Sequence, residues 1–246
     1  MNQIKSTTYL KYFIISMAIG VLFYFTGTIS EILNLDSYLD ISLKILIIIL
    51  ICIYAIKRDD FNSFFNIKFS PVYLMIIIIP VIFSIIIQAC PLDFEPYPEF
   101  LIVTVVGTIT TAIWEELFFR YIGCSLFEEN GKYKWYNVIF LALVFSLTHL
   151  TNLLFDGMAI DFTQVIFTFA LGIFLLALYI HTKSIIVPII AHFCVNSVSD
   201  YYTLFATEEA HAYAYIGNSL EIVFMIYILV LIFIGLYILK RNNHFC

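Results

Sequence analysis

Trp114-Glu115-Glu116-Leu117-Phe118-Phe119-Arg120 sets two adjacent acids and a base inside a long apolar run. Residues 104–114 precede the acids without a charge, and three large apolar side chains separate the acids from Arg120. A charged side chain at membrane depth costs at least about 2.5–3.5 kcal/mol, so it is rarely kept without a role or a partner. Two readings follow: a structural ion pair, or an active site.

The rest of the chain supplies the setting. Of its 246 residues, 62% are hydrophobic and only 12% are charged. Mean hydropathy is +0.99. Soluble domains hold about 45–50% apolar and about 25% charged residues, and a soluble core has no room for this excess. The 18% aromatic content suits lipid-facing and interfacial positions. The formal charge of −6, with no basic stripe, excludes nucleic acid as a partner. The partners expected are the lipid bilayer and a membrane-associated peptide or protein. Cys52, Cys90, Cys124, Cys194 and Cys246 form no CxxC pair and read as packing residues, neither disulfides nor a zinc cluster. Cys246 is the last residue, so it makes no prenylation box. The first apolar run is too long for a signal peptide and is expected to be retained.

A bilayer-crossing helix needs about 20 apolar residues. Spans are expected at 9–29, 39–56, 71–90, 99–127, 137–154, 162–180, 184–205 and 218–239. Loop charges test this division. Lys5 and Lys11 stand at the start of the first span, and Lys57, Arg58 and Lys68 follow the second. Lys132 and Lys134 follow the fourth, Lys183 the sixth, and Lys240 and Arg241 the eighth. The alternate connections carry Glu31, Asp36 and Asp40, then Asp93, Glu95 and Glu99, then Asp156 and Asp161, then Glu208 and Glu209, with no Lys or Arg. The positive-inside rule then gives an all-α integral membrane protein of about eight transmembrane helices with both termini cytoplasmic. It is read as a single polytopic membrane domain, 1–246, with a motif-bearing core at about 99–205. Beyond Lys11 at the start of the first span, only Lys44 and Arg120 lie within spans; Lys44 is near an outer end, where it can snorkel, and Arg120 is deeper.

Two further spans carry polar groups at depth. One holds Phe145-Ser146-Leu147-Thr148-His149, with Phe145 over the face that bears His149. The other holds His192-Phe193-Cys194-Val195-Asn196, with Asp200 a further turn along the same face and Pro188 expected to bend the helix. Helical spacing also divides the glutamates. Glu116 and Arg120 are four apart and pair on one face, whereas Glu115 is about 100° around the helix. Taken singly, each group has an ordinary structural explanation as an ion pair or an interhelical hydrogen bond. Asp200, Gln88 and Gln164 read as interfacial, and His181, His211 and His244 as loop residues.

The combination is harder to explain as structure alone. Glu115, His149 and His192 lie about 12–18 Å from the cytoplasmic side at about 1.5 Å per residue, so they converge if their helices are neighbours. A carboxylate and two imidazoles permit two chemistries. In one, Glu115 is a general base toward water, and a His and an amide donate to the developing oxyanion. In the other, Glu115, His149 and His192 hold a catalytic zinc with an open position. The single-helix HExxH zinc motif is absent.

Glu115-Glu116-Leu-Phe-Phe-Arg120, Phe145-Ser-Leu-Thr-His149 and His192-Phe-Cys-Val-Asn196 resemble the EExxxR, FxxxH and HxxxN motifs of the CPBP family of intramembrane proteases, also called the CAAX-protease, bacteriocin-processing or Abi family. Ser184-Ile-Ile-Val-Pro-Ile-Ile-Ala-His192 resembles that family's approach to its third motif. The resemblance covers spans four to seven, and no motif position departs from the pattern. It implies that Glu115, helped by His149, activates the attacking water. It implies that His192 and Asn196 stabilise the oxyanion, and that Glu116 and Arg120 organise the site. The family was first described as metalloproteases, but its CAAX-processing members are generally treated as glutamate-dependent. The expectation is therefore no cofactor and no metal. Members cleave prenylated CAAX proteins in eukaryotes and in bacteria are tied to peptide pheromone or bacteriocin maturation and self-immunity. Ile-, Phe- and Asn-rich usage points to a low-GC bacterium, hence a multi-pass plasma-membrane endopeptidase. The competing readings are a non-catalytic bacteriocin-immunity or scaffold protein and an ion-coupled transporter. Transporters show internal repeats, and no second Glu-Glu motif occurs in the other half.

Overall fold

A computed structural model describes residues 4–33, 35, 38–58, 71–87, 98–153, 162–205 and 218–241. The described residues form α1 (Ser6–Leu33), α2 (Tyr38–Lys57), α3 (Pro71–Ile87), α4 (Pro98–Glu115), a π-helical segment (Glu116–Ile122), α5 (Gly123–Phe127), α6 (Trp135–Thr148), α7 (Leu150–Leu153), α8 (Phe162–Thr182), α9 (Ile186–Phe205) and α10 (Asn218–Lys240). No strand occurs among them. Five stretches are long and apolar enough to cross a membrane: Ser6–Ser30, Tyr38–Lys57, Leu101–Phe127, Gln164–Thr182 and Ile222–Lys240. Val72–Ile86, Trp135–Thr148 and Ile186–Asp200 are apolar but shorter. The chain is an all-helical, multi-pass membrane protein. Lys68, Asp36, Asp93, Glu95, Asp156, Asp161, Glu208, Glu209, Gln88, Cys90, Cys246, His211 and His244 lie outside the described residues.

The centre of the bundle is α8, apolar on every face, as a helix surrounded by others must be. Leu171, Phe174, Leu175, Leu176, Leu178 and Ile180 are almost fully buried. It packs against α6, α9 and α10. Lipid tails are as apolar as leucine, so helix association in a bilayer rests on close van der Waals fit, which small residues permit. A Cβ on Gly172 of α8 would stand 3.3 Å from Ala142 of α6 and from Phe145 Cδ1, and one on Gly235 of α10 would stand 3.0 Å from Ile173 of α8. The opposite arrangement holds outside. Leu46, Ile49, Leu50 and Ile53 of α2 and Leu229 and Phe233 of α10 are exposed, as lipid-facing side chains are. Gly172→Leu is expected to separate α6 from α8 at a cost of about 1–3 kcal/mol, read as a lower thermal midpoint of the purified protein in detergent. An unchanged midpoint would mean that the two helices tolerate a wider spacing.

Four local details differ from the sequence expectations. The fourth span is not α-helical throughout, because residues 116–122 adopt the i→i+5 pattern; the Gly123 N–H donates to Phe118 O. The fifth is interrupted at His149. Thr148 Oγ1 and His149 Nδ1 both reach Phe145 O, at 2.6 and 3.0 Å, while the His149 N–H turns to Ser146 O. Polar side chains there take the carbonyl that the backbone ladder would use. Pro188 sits in the first turn of α9, where its missing N–H has no intrahelical partner to lose, so the expected bend has no cause. His181 is in the last turn of α8, exposed and edge-on to Tyr73, not in a loop. The α5–α6 connection matches its sequence. Asn130 and Gly131 have φ of 54° and 77°, the left-handed values a tight Asn-Gly turn requires, and Glu129 bridges Lys132. Cys52, Cys124 and Cys194 are free thiols.

Candidate active site

Three chain segments deliver the site. The end of α4 and the π-helical segment bring Glu115, Glu116 and Arg120. The end of α6 brings Phe145 and His149, and the middle of α9 brings His192 and Asn196. The contact of α9 with α4 makes convergence possible.

Glu116 and Arg120 meet as their spacing requires, with Arg120 Nη1 2.9 Å from Glu116 Oε1 and both side chains almost completely buried. The contact is electrostatic and not an aligned hydrogen bond: none of the three guanidinium nitrogens has a hydrogen-bond partner among the described residues. The guanidinium carbon instead lies 4.2 Å from the centroid of the Phe145 ring, a cation–π arrangement. Phe145 also packs edge-on against Phe119, His149 and His192, at centroid distances of 5.0, 5.1 and 6.0 Å. It is the apolar wall on which the charged groups are assembled.

The glutamates are divided less cleanly than an α-helix would divide them. His192 Nδ1 is 2.7 Å from Glu116 Oε1, and Nε2 of the same ring is 3.7 Å from Glu115 Oε2. Glu115 ends α4 with α-helical φ −66° and ψ −44°, and Glu116 opens the π-helical segment. The two nitrogens of the one His192 ring, on opposite sides of it, reach both carboxylates. Glu116 is fully buried and held from two sides, whereas Glu115 keeps 12% of its side chain exposed, and its Oε2 makes no hydrogen bond with a described residue. Glu116 is thus held by Arg120 and by His192, and Glu115 is the less enclosed of the two.

His149 is fixed by one bond. Its Nδ1 lies 3.0 Å from Phe145 O. A carbonyl only accepts, so the neutral ring carries its proton on Nδ1 and leaves Nε2 as an acceptor.

Two cavities meet here. One, of about 390 Å³, is lined by Glu115, Phe145, His149, His192 and Asn196, and continues to Gln164, Thr168 and Asp200. The other, of about 440 Å³, lies toward α1 and α2, between Phe23, Trp114 and the Asp40–Lys44 ion pair, and also reaches Glu115 and His149. Thr111, Glu115 and His149 line both. Asn196 lines the smaller cavity.

Several cavity residues were not expected. Thr111, four residues before Glu115, was findable from helical spacing. Gln164, expected at the interface, lines the smaller cavity, and Lys44 does not simply snorkel: its ammonium is 2.5 Å from Asp40 and its cavity reaches Glu115. Trp114, buried against Phe23 at 4.6 Å, carries no sequence signal beyond its neighbour Glu115.

The arrangement was compared with the needs of zinc. Among the described residues no three His, Cys, Asp or Glu side chains are grouped so as to hold a metal ion. One nitrogen of each imidazole is held, by Phe145 O and by Glu116, and the other is left over, which is also how metal-ligating histidines are held.

Fold and site together define a multi-pass membrane protein with a buried acid–histidine centre. Residues 97–198 match the family described as type II CAAX prenyl endopeptidase Rce1-like, a protease family. The matched stretch spans all three motifs, which bears out the resemblance to the CPBP, or CAAX-protease, family. No curated protein and no solved structure matches the chain.

Proposed function

We propose that the chain is a glutamate-dependent intramembrane endopeptidase that cuts a membrane-associated peptide or protein. The observation that carries this is the meeting of two cavities at Glu115 and His149, which leaves room on both sides of a scissile bond. Glu115 takes a proton from water as the water oxygen attacks the peptide carbonyl, with the acceptor Nε2 of His149 assisting. The 3.7 Å between Glu115 Oε2 and His192 Nε2 admits one oxygen atom at about 2.8 Å from each. His192, in its imidazolium form, and Asn196 donate to the tetrahedral oxyanion. Protonated Glu115 then gives its proton to the departing amine as the C–N bond breaks. Glu116 and Arg120 hold His192 and the π-helical turn in place.

The reaction is proposed to need no metal, a reading supported by the carboxylate and imidazoles already present for acid–base work. Activity is expected to be unchanged after incubation with a chelator. Loss of activity restored by zinc would overturn this part. His192→Ala is expected to lower kcat/KM on a quenched apolar peptide by about 10²–10³-fold, the loss typical of an oxyanion donor; wild-type activity in this variant would remove His192 from the mechanism. The proposed setting is a bacterial plasma membrane, with eight spans and both termini in the cytoplasm, supported by the alternation of loop charge. Peptide pheromone or bacteriocin maturation, or self-immunity, is the proposed context. Immunity that survives Glu115→Gln would favour a non-catalytic binding role instead.

A further inference from the structure

We propose that Asp200 is a specificity-determining residue that receives a positively charged group of the substrate: a lysine or arginine side chain, or an N-terminal ammonium. The proposal rests on the endopeptidase reading and names the substrate class of that site.

Asp200 is half-buried on α9 and lines the cavity that holds His192 and Asn196. The hydroxyl of Thr108, on α4, donates to Asp200 Oδ2 and fixes the carboxylate against the cavity wall. A hydroxyl supplies a hydrogen bond but no charge. No lysine or arginine among the described residues is paired with Asp200. Sequence shows that the neighbouring connections cannot supply one either, since residues 88–97, 154–161 and 206–217 contain neither Lys nor Arg; His211 is their one basic residue. Lys44 is the remaining cation toward this end of the bundle, and Asp40 holds it at 2.5 Å beside the other cavity. A carboxylate partly withdrawn from water loses solvation that an opposite charge restores. No lysine or arginine of the described residues or of those connections supplies that charge, and a cationic group of the substrate can.

The geometry also sets a register. Asp200 is just over two turns beyond His192, about 12 Å along the helix axis at about 1.5 Å per residue. Extended peptide covers that distance in three to four residues at about 3.3 Å each. The cation therefore lies three to four residues from the bond that is cut. Asn196, Thr168 and Gln164, along the same cavity, offer carbonyl and hydroxyl oxygens to the remaining protons of an ammonium.

The test uses the full chain in lipid nanodiscs and a family of quenched apolar peptides. In one arm the amino terminus is acetylated and a single lysine is scanned along the peptide, against the same peptides with norleucine. In the other arm a lysine-free peptide carries a free or an acetylated amino terminus. Binding is read on the Glu115→Gln protein and cleavage on the wild type. Lysine three to four residues from the cut is expected to improve binding and kcat/KM by about tenfold over norleucine, a size typical of a close charge pair. Asp200→Asn is expected to abolish that preference while norleucine peptides are cut as before, and Asp200→Lys to shift it to glutamate. A preference confined to the free amino terminus would identify the ammonium as the cation. Equal handling of lysine and norleucine by the wild type, with no effect of the free terminus, would overturn the proposal and leave Asp200 as a solvated partner of Thr108. A preference that persists in Asp200→Asn would overturn it too. If the binding preference appears but no peptide is cut, the endopeptidase reading fails and the Asp200 site stands.

Discussion

Glu115→Gln is expected to lower cleavage by about 10²–10⁴-fold, the range a general base supplies, and to leave the protein folded. The change keeps the shape of the side chain and removes its charge. Glu115 Oε2 has no hydrogen-bond partner among the described residues, and its nearest described cationic partner, His192 Nε2, is 3.7 Å away. Little native structure therefore depends on the carboxylate charge. The check is kcat/KM on a peptide that the wild type cuts, with thermal midpoint and size-exclusion profile measured on the same preparations. Retained activity would place the base elsewhere, His149 Nε2 first. A collapse of the thermal midpoint would show that Glu115 is structural.

Arg120→Met has the opposite signature. It leaves the Glu116 carboxylate fully buried with His192 as its one remaining charged neighbour. Breaking a buried pair by removing one partner typically costs about 3–5 kcal/mol, because the other charge is left uncompensated. Loss of the guanidinium from the Phe145 ring, 4.2 Å away, adds to this. Low yield and a strongly reduced thermal midpoint are expected, with loss of activity following from loss of fold. The double variant Glu116→Gln/Arg120→Met removes both charges and is expected to recover much of the midpoint without recovering activity. An Arg120→Met protein as stable as the wild type would show that His192 alone suffices to hold Glu116. The two experiments together test whether adjacent glutamates do different work.

The helices were legible because a bilayer writes its demands into composition: about 20 apolar residues per crossing and charge confined to the connections. The Glu116–Arg120 pair was legible because four-residue spacing is a local property of a helix. The same local reasoning kept Glu115 apart from Glu116, and there it was incomplete. The fold brings both acids to one imidazole, and the helix turns π-helical at 116–122. No spacing rule announces such a turn; it depends on how α4 and its continuation pack against their neighbours. The interruption at His149 was likewise hidden, although Thr148 and His149 carry the side chains that take the Phe145 carbonyl.

From the sequence alone came a multi-pass helical membrane protein, the paired Glu116 and Arg120, and the short roster of polar residues worth bringing together. Tertiary structure alone decided that α9 lies against α4. It thereby decided that His192 bridges the two glutamates, that Phe145 underlies Arg120, and that Glu115 and His149 line two cavities. The reason is range. Composition and helical periodicity act over a few residues, whereas His192 and Glu116 are 76 positions apart, and only the packing of whole helices closes that distance.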